Sequence, residues 1–184
     1  MAEWKTFEGQ RIENIYEEIQ KEYNLAKDSN GLIIAYVGVD GQNLNAKWTS
    51  FVQCVALHKY DDCHQGKGGR VYMVKHLEKR YKNMQQKLLR EVELAINLAQ
   101  KLQPVFENLN IPFEVHLDVN SDPGDKMQNK SNSVHDASKG WAESNGFTVK
   151  TKPDAFVASI VADKHTKTMG QRKPRKFGKG KRNK

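Results

Sequence analysis

The stretch Leu32-Ile33-Ile34-Ala35-Tyr36-Val37-Gly38-Val39-Asp40 decides the fold. An apolar run this continuous reads as a central strand covered on both faces, and it ends on a carboxylate. A second stretch, Phe113-Glu114-Val115-His116-Leu117-Asp118-Val119, has the same ending. A carboxylate is costly to desolvate, so it rarely sits beside a buried strand by accident. Two of them on adjacent strands repel unless a cation lies between them. The pair Asp40 and Asp118 therefore points to a divalent-metal site built on a sheet.

Working outward, residues 10–24 carry Ile12, Ile15, Tyr16, Ile19 and Tyr23 at helical spacing. Asp28-Ser29-Asn30-Gly31 stops that helix. After the first strand, residues 48–59 and 70–75 read as two more strands, joined by a polar loop that ends in Gly66-Lys67-Gly68-Gly69. Short separations favour antiparallel pairing of these three. The apolar stripe Leu88, Val92, Ala95, Ile96, Ala99, Leu102 and Phe106 predicts a long helix over 78–109, with Pro104 near its end. Strand 113–119, a short helix 133–144, strand 147–152 and a last helix from Asp154 to about His165 complete the order. This succession predicts an α/β fold, a five-stranded mixed sheet flanked by helices. A crossover through the long helix sets Asp40 and Asp118 at the same sheet end, where ligands of α/β folds bind.

Glu91 is the third acid. At about 100° per residue it falls beside Leu88, Ala95 and Leu102, on the edge of the buried stripe. Glu93 falls on the wet side with Gln86, Arg90 and Asn97. The fourth acid is Asp154, in the first turn of the last helix, or Asp163, near its end. Asp154 has an alternative use as a helix N-terminal charge. Asp163 follows the apolar run Phe156 to Ala162 and is the odder residue there. Converging carboxylates suit hard cations such as Mg²⁺ or Mn²⁺, and two such ions support phosphodiester hydrolysis. His116 and His165 are candidate proton shuttles, with a structural role as the plainer alternative.

The charge is uneven. The chain has 184 residues and a net charge of +8, yet residues 164–184 hold ten Lys or Arg and no acid. The body before them is therefore near neutral. A tail this basic, with Gly and Pro and few apolar residues, is expected to be disordered alone and to contact phosphates. No apolar run reaches bilayer length, the first residues lack a secretion signal, and there are two cysteines. A reducing, cytoplasmic location is the expectation. Cys63 and His58, His64 and His76 lack the paired spacing of a zinc site.

Several stretches together resemble the YkuK-type predicted nucleases, a branch of the ribonuclease H-like superfamily. They are Val37-Gly38-Val39-Asp40-Gly41-Gln42, Lys67-Gly68-Gly69-Arg70-Val71-Tyr72, Glu114 to Asn120, Lys130-Ser131-Asn132, and Lys152-Pro153-Asp154 to Lys164. The resemblance implies a ribonuclease H-like fold with strand order 3-2-1-4-5 and strand 2 antiparallel. It implies that Asp40, Glu91 and Asp118 match the acidic triad, with Asp163 or Asp154 as the last acid. One departure stands out: the family usually has a small hydroxyl residue where this chain has Gly41.

The expected organisation is an N-terminal helical extension (1–30), a ribonuclease H-like domain (31–165) and a basic tail (166–184). The expected activity is two-metal phosphodiester hydrolysis of RNA, an RNA–DNA hybrid or branched DNA. Lys67, Arg70 and Lys130, and in the tail Arg172, Lys173, Arg175, Lys176, Lys179, Lys181 and Arg182, are the expected nucleic-acid contacts. The alternatives are an inert nucleic-acid-binding module of the same fold and a dimeric Holliday-junction resolvase. The oligomeric state is not legible.

Overall fold

The structure, a computed structural model, describes residues 3–120 and 129–157, of which 129–133 are described by backbone alone. In chain order the elements are β1 (Trp4–Thr6), β2 (Arg11–Ile12), α1 (Ile15–Asp28), β3 (Leu32–Asn43), β4 (Trp48–Tyr60), β5 (Gly66–Lys79), α2 (Met84–Asn108), β6 (Phe113–Asn120), α3 (Asn129–Ser144) and β7 (Val149–Lys152). They build one sheet in the order β2-β1-β5-β4-β3-β6-β7.

Within it, β5-β4-β3-β6-β7 is the expected 3-2-1-4-5 arrangement. β4 runs antiparallel to both β3 and β5, whereas β6 is parallel to β3 and β7 parallel to β6. The sheet has seven strands rather than five. The two extra ones are β1, which pairs with β5 from Trp4↔Val74 to Thr6↔Tyr72, and β2 beyond it. They are three and two residues long, too short to leave a periodic signal in the sequence.

Local chemistry sets the helix limits. Asn14 caps α1, its side chain accepting from the Tyr16 N–H at 3.0 Å. Glu17 and Glu18 occupy the first turn, and Lys27 the last, in accord with the helix dipole. Asn83 caps α2 in the same way, through the Gln85 N–H at 2.8 Å. The long helix therefore begins at Met84 rather than 78, because β5 continues to Lys79 along the whole of β4. That pairing also takes Gly66–Gly69, expected in a loop, into the strand. Pro104 lies inside α2, which runs on to Asn108.

The two faces of the sheet differ. Alternation sends Ile33, Ala35, Val37 and Val39 of β3 to one face, where they pack with Phe51, Val55 and Leu57 of β4 and Val115, Leu117 and Val119 of β6. All three described helices pack there, through Ile15 and Ile19, through Val92, Ala95, Ala99 and Leu102, and through Val134 and Ala142. Each fully buried Val, Ile or Leu contributes about 1.5–3 kcal/mol, so this side holds the fold. The opposite face carries a smaller cluster, Tyr36, Val52, Cys54, Ala56, Met73 and Val157. The same alternation gives that face Asp40, Asp118, His116 and Lys75.

Candidate active site

β3 and β6 pair in parallel from Ala35↔Phe113 to Gly38↔His116. Two residues further along each strand lie Asp40 and Asp118, so the acids occupy equivalent positions at the same sheet end. The paired ladder stops just before them. α2 crosses this end from the other face and delivers Glu91, which is 4% exposed.

The carboxyl of Glu91 is pushed up to about 8, first by burial and then by the charges of Asp40 and Asp118, while Lys87 opposes the rise. The field of Asp40 also reaches Cys54, on its own face of the sheet, whose thiol is raised mainly by burial. Asp40 and Asp118 are thus both within electrostatic reach of Glu91 at one corner of the sheet.

Gly41 explains how close Glu91 can come. A Cβ there would lie 2.6 Å from Glu91 Oε1 and 2.6 Å from the Phe51 ring. With hydrogen in that place, the Glu91 carboxylate rests against the backbone just after Asp40.

Two lysines that the sequence reading missed hold these acids. Lys87 Nζ donates to Glu91 Oε1 at 2.7 Å and also to the Gly41 carbonyl. Lys152 Nζ lies 2.5 Å from Asp118 Oδ1. The first was visible as an i, i+4 Lys–Glu pair on one helix. The second depends on the Asn120↔Lys152 register of β6 and β7, which no local pattern announces.

The remaining predicted residues fall elsewhere. Asp154 is exposed in the turn after β7, its N–H donating to the Thr151 carbonyl at 2.9 Å. Asp163, His165 and the tail residues Arg172, Lys173, Arg175, Lys176, Lys179, Lys181 and Arg182 lie outside the described residues. Lys130 is in the first turn of α3, where only the backbone is described. Lys67 and Arg70 are not brought to the acids. The register pairs Arg70 with Leu57, and Leu57 with Ala35, at the far end of β3 from Asp40. There Lys67 pairs with Asp61 at 2.9 Å and Arg70 with Glu22 at 3.5 Å.

His116 is 1% exposed. Its ring lies against Tyr36 and Phe156, with centroids 5.0 and 4.9 Å away, and its Nδ1 accepts from the Val157 N–H at 3.4 Å. Burial holds its pKa below the usual histidine value. It anchors the backbone after β7, the structural alternative to a proton shuttle.

For a divalent cation the donor chemistry fits: oxygen ligands only, gathered from β3, α2 and β6, with cationic side chains drawn onto two of them. The arrangement is open. Among the described residues the one trio of possible ligand atoms within 4.8 Å of one another is Asp61, Asp62 and Cys63. That trio lies in the β4–β5 turn, where Asp61 accepts from the Gln65 N–H at 2.8 Å and pairs with Lys67. Its contacts are those of a hydrogen-bonded turn.

A mixed sheet of this order flanked by helices fits a class of nuclease-like or nucleic-acid-binding modules. The ribonuclease H-like family model matches residues 10–167, and the chain belongs to that family. No curated protein and no solved structure matches it. Among the described residues no helix is long and apolar enough to cross a membrane.

Proposed function

We propose that the protein is a metal-dependent nuclease of the YkuK type, cleaving phosphodiester bonds in RNA, an RNA–DNA hybrid or structured nucleic acid. One observation carries the reading. Asp40, Glu91 and Asp118, from three distant segments, lie at one sheet end, where burial and then the charges of the other two raise the proton affinity of Glu91. Such a cluster opposes folding unless its charge is used.

Asp40, Glu91 and Asp118 would hold Mg²⁺ or Mn²⁺, one ion or two, with Asp163 or Asp154 completing the set. When bound there, such ions activate water and stabilise the leaving oxygen of a phosphodiester. The protein's own residues do the positioning. Lys87 fixes Glu91 against the Gly41 carbonyl, and Lys152 fixes Asp118. Burial raises the proton affinity of Glu91, so a cation held there would compete with a proton as well as with Lys87. The basic tail adds affinity that falls steeply with salt.

The experiment is a cleavage panel in Mg²⁺ and in Mn²⁺ across single strands, duplexes, hybrids and four-way junctions. Asp40→Asn and Asp118→Asn are the controls. Metal-dependent cleavage that both substitutions abolish, with the fold intact, supports the reading. Cleavage that survives both overturns it.

A second reading has its own support. Lys87 and Lys152 already neutralise two of the acids, as they would in an inert binding module. That reading expects nucleic-acid binding unchanged by the asparagine substitutions and no cleavage with either metal.

A further inference from the structure

The face that carries Asp40 also carries an unexplained polar patch. Across the sheet, Asp40 pairs with Val52 and Val52 with Lys75; one step further out, Gln42 pairs with Ser50 and Ser50 with Leu77. Alternation sets all six side chains on the face turned away from α1, α2 and α3. Three buried polar atoms of this patch have no hydrogen-bond partner among the described residues: Gln42 Oε1, Ser50 Oγ and Lys75 Nζ.

A buried polar atom without a partner costs about 1–3 kcal/mol, and native structures hold few. Three on neighbouring positions of one face call for an explanation that isolated cases do not. Glu22 and Asp118, whose carboxylates also have an oxygen without a hydrogen bond, each have a lysine beside them. Ser138 stands alone in α3. At this patch the Lys75 ammonium has no hydrogen-bond partner among the described residues, and burial lowers its pKa.

The chemistry of the three groups selects the ligand. Lys75 only donates, the Ser50 hydroxyl can donate, and the Gln42 amide presents either its oxygen or its NH₂ by turning. Their common complement is an anion rich in acceptor oxygens. Ser50 is fully buried, and Lys75 and Gln42 are half-buried residues whose polar atoms are themselves covered; the long Lys75 side chain can turn its ammonium outward to meet a ligand. Trp48, two residues from Ser50 and on the same face, is 43% exposed. An exposed indole on this face offers a base a stacking surface.

We infer that Gln42, Ser50 and Lys75 form a phosphate subsite for the nucleic-acid strand, with Trp48 stacking on a neighbouring base. Lys75 lies two strands from Asp40, roughly 10 Å at about 4.8 Å per strand. The phosphate bound there belongs to the strand presented to Asp40 and Asp118, not to the bond that is cut. The inference rests on the nucleic-acid reading above and adds to it where the strand lies.

The test measures binding apart from cleavage. The full chain in EDTA is titrated with a fluorescein-labelled single-stranded oligonucleotide over a series of salt concentrations, and separately with inorganic phosphate. Lys75→Met is expected to weaken oligonucleotide binding about tenfold and to lower the salt slope by about 1, with no loss of thermal stability. Gln42→Glu keeps the size of the side chain and adds a negative charge to the same patch, so it is expected to weaken oligonucleotide binding through repulsion of the phosphate. This second variant keeps the test decisive if the first folds poorly.

Unchanged oligonucleotide affinity in both variants overturns the subsite. So does inorganic phosphate binding that Lys75→Met removes while oligonucleotide affinity holds, since the site would then serve free phosphate. Weakened binding in a chain that never cleaves supports the subsite and counts against the nuclease alone. Normal binding by both variants in a chain that cleaves through Asp40 does the reverse.

Discussion

Lys152 reaches from β7 to Asp118 on β6, Nζ to Oδ1 at 2.5 Å, so one of the acids proposed to hold a metal already holds a cation of the protein's own. The Lys152 side chain is 41% exposed and the Asp118 side chain 18%. The ammonium can therefore swing into water when a stronger cation arrives. Lys152→Gln is predicted to tighten Mn²⁺ binding several-fold, by leaving a bare carboxylate for the metal. Calorimetric titration of parent and variant checks this; equal affinities would show that Lys152 does not compete for the site.

Glu91 makes stability depend on pH. Its folded pKa of about 8 lies above the ordinary carboxyl value of 4.5, so the folded state binds the proton more tightly than the unfolded one. The associated stability is fully present below about 4.5 and is lost as pH rises through 8. In the absence of divalent metal, urea denaturation is predicted to show stability falling between about pH 5 and about pH 8.5. Glu91→Gln should flatten that fall. A parent and variant with parallel pH profiles would contradict the burial argument.

Gly41 leaves no room for the hydroxyl residue that the resembling nucleases carry at this place. Gly41→Ser puts a Cβ within 2.6 Å of Glu91 Oε1 and of the Phe51 ring. Overpacking of this kind costs about 1–3 kcal/mol, and it displaces the Glu91 carboxylate from the other acids. The expected result is lower stability in urea and a larger loss of cleavage. A serine variant as stable and active as the parent would show that Glu91 can give way freely.

At the far end of the sheet, Glu22 of α1 is 3% exposed and is held by Lys59 and by Arg70 at 3.5 Å. Lys59→Met removes the nearer cation and leaves a carboxylate in the interface between α1 and the sheet. Breaking a buried pair in this way costs about 3–5 kcal/mol, less here because Arg70 stays nearby. The predicted outcome is a clear drop in melting temperature with cleavage per folded molecule unchanged. Cleavage reduced in proportion would tie this end to the chemistry.

Residues 166–184 carry nine Lys or Arg. Their deletion is predicted to reduce both oligonucleotide affinity and its dependence on salt. Each phosphate that the tail no longer neutralises makes the slope shallower by roughly 0.7–0.9. Filter binding between about 50 and 200 mM salt measures it. A slope unchanged by the deletion would assign phosphate binding to the body of the protein.

The acids at the ends of β3 and β6 were legible because an apolar run ending in Asp is a contradiction in solvation that the eye can find. Glu91 was legible for a similar reason, a charge on the margin of a helical stripe. The limits of β5 and α2 were not, because whether Gly66–Gly69 and His76–Lys79 are strand depends on having β4 alongside, a partner distant in sequence. β1 and β2 exist only by virtue of the β5 edge. Lys152 and Lys75 read as ordinary surface lysines, since what distinguishes them is the register of their strands. The glycine-rich stretch Gly66–Gly69 pointed to Lys67 and Arg70 as phosphate contacts; the same register places them away from the acids.

All three described helices press on one face of the sheet, and Asp40, Asp118, Lys75 and Lys152 belong to the other. The molecule has in effect a hull and a deck. Changes at Asp118, Lys75 or Lys152 refit the deck without reopening the hull, whereas Glu91 and Lys87 stand on α2 and tie that corner to the helix packing.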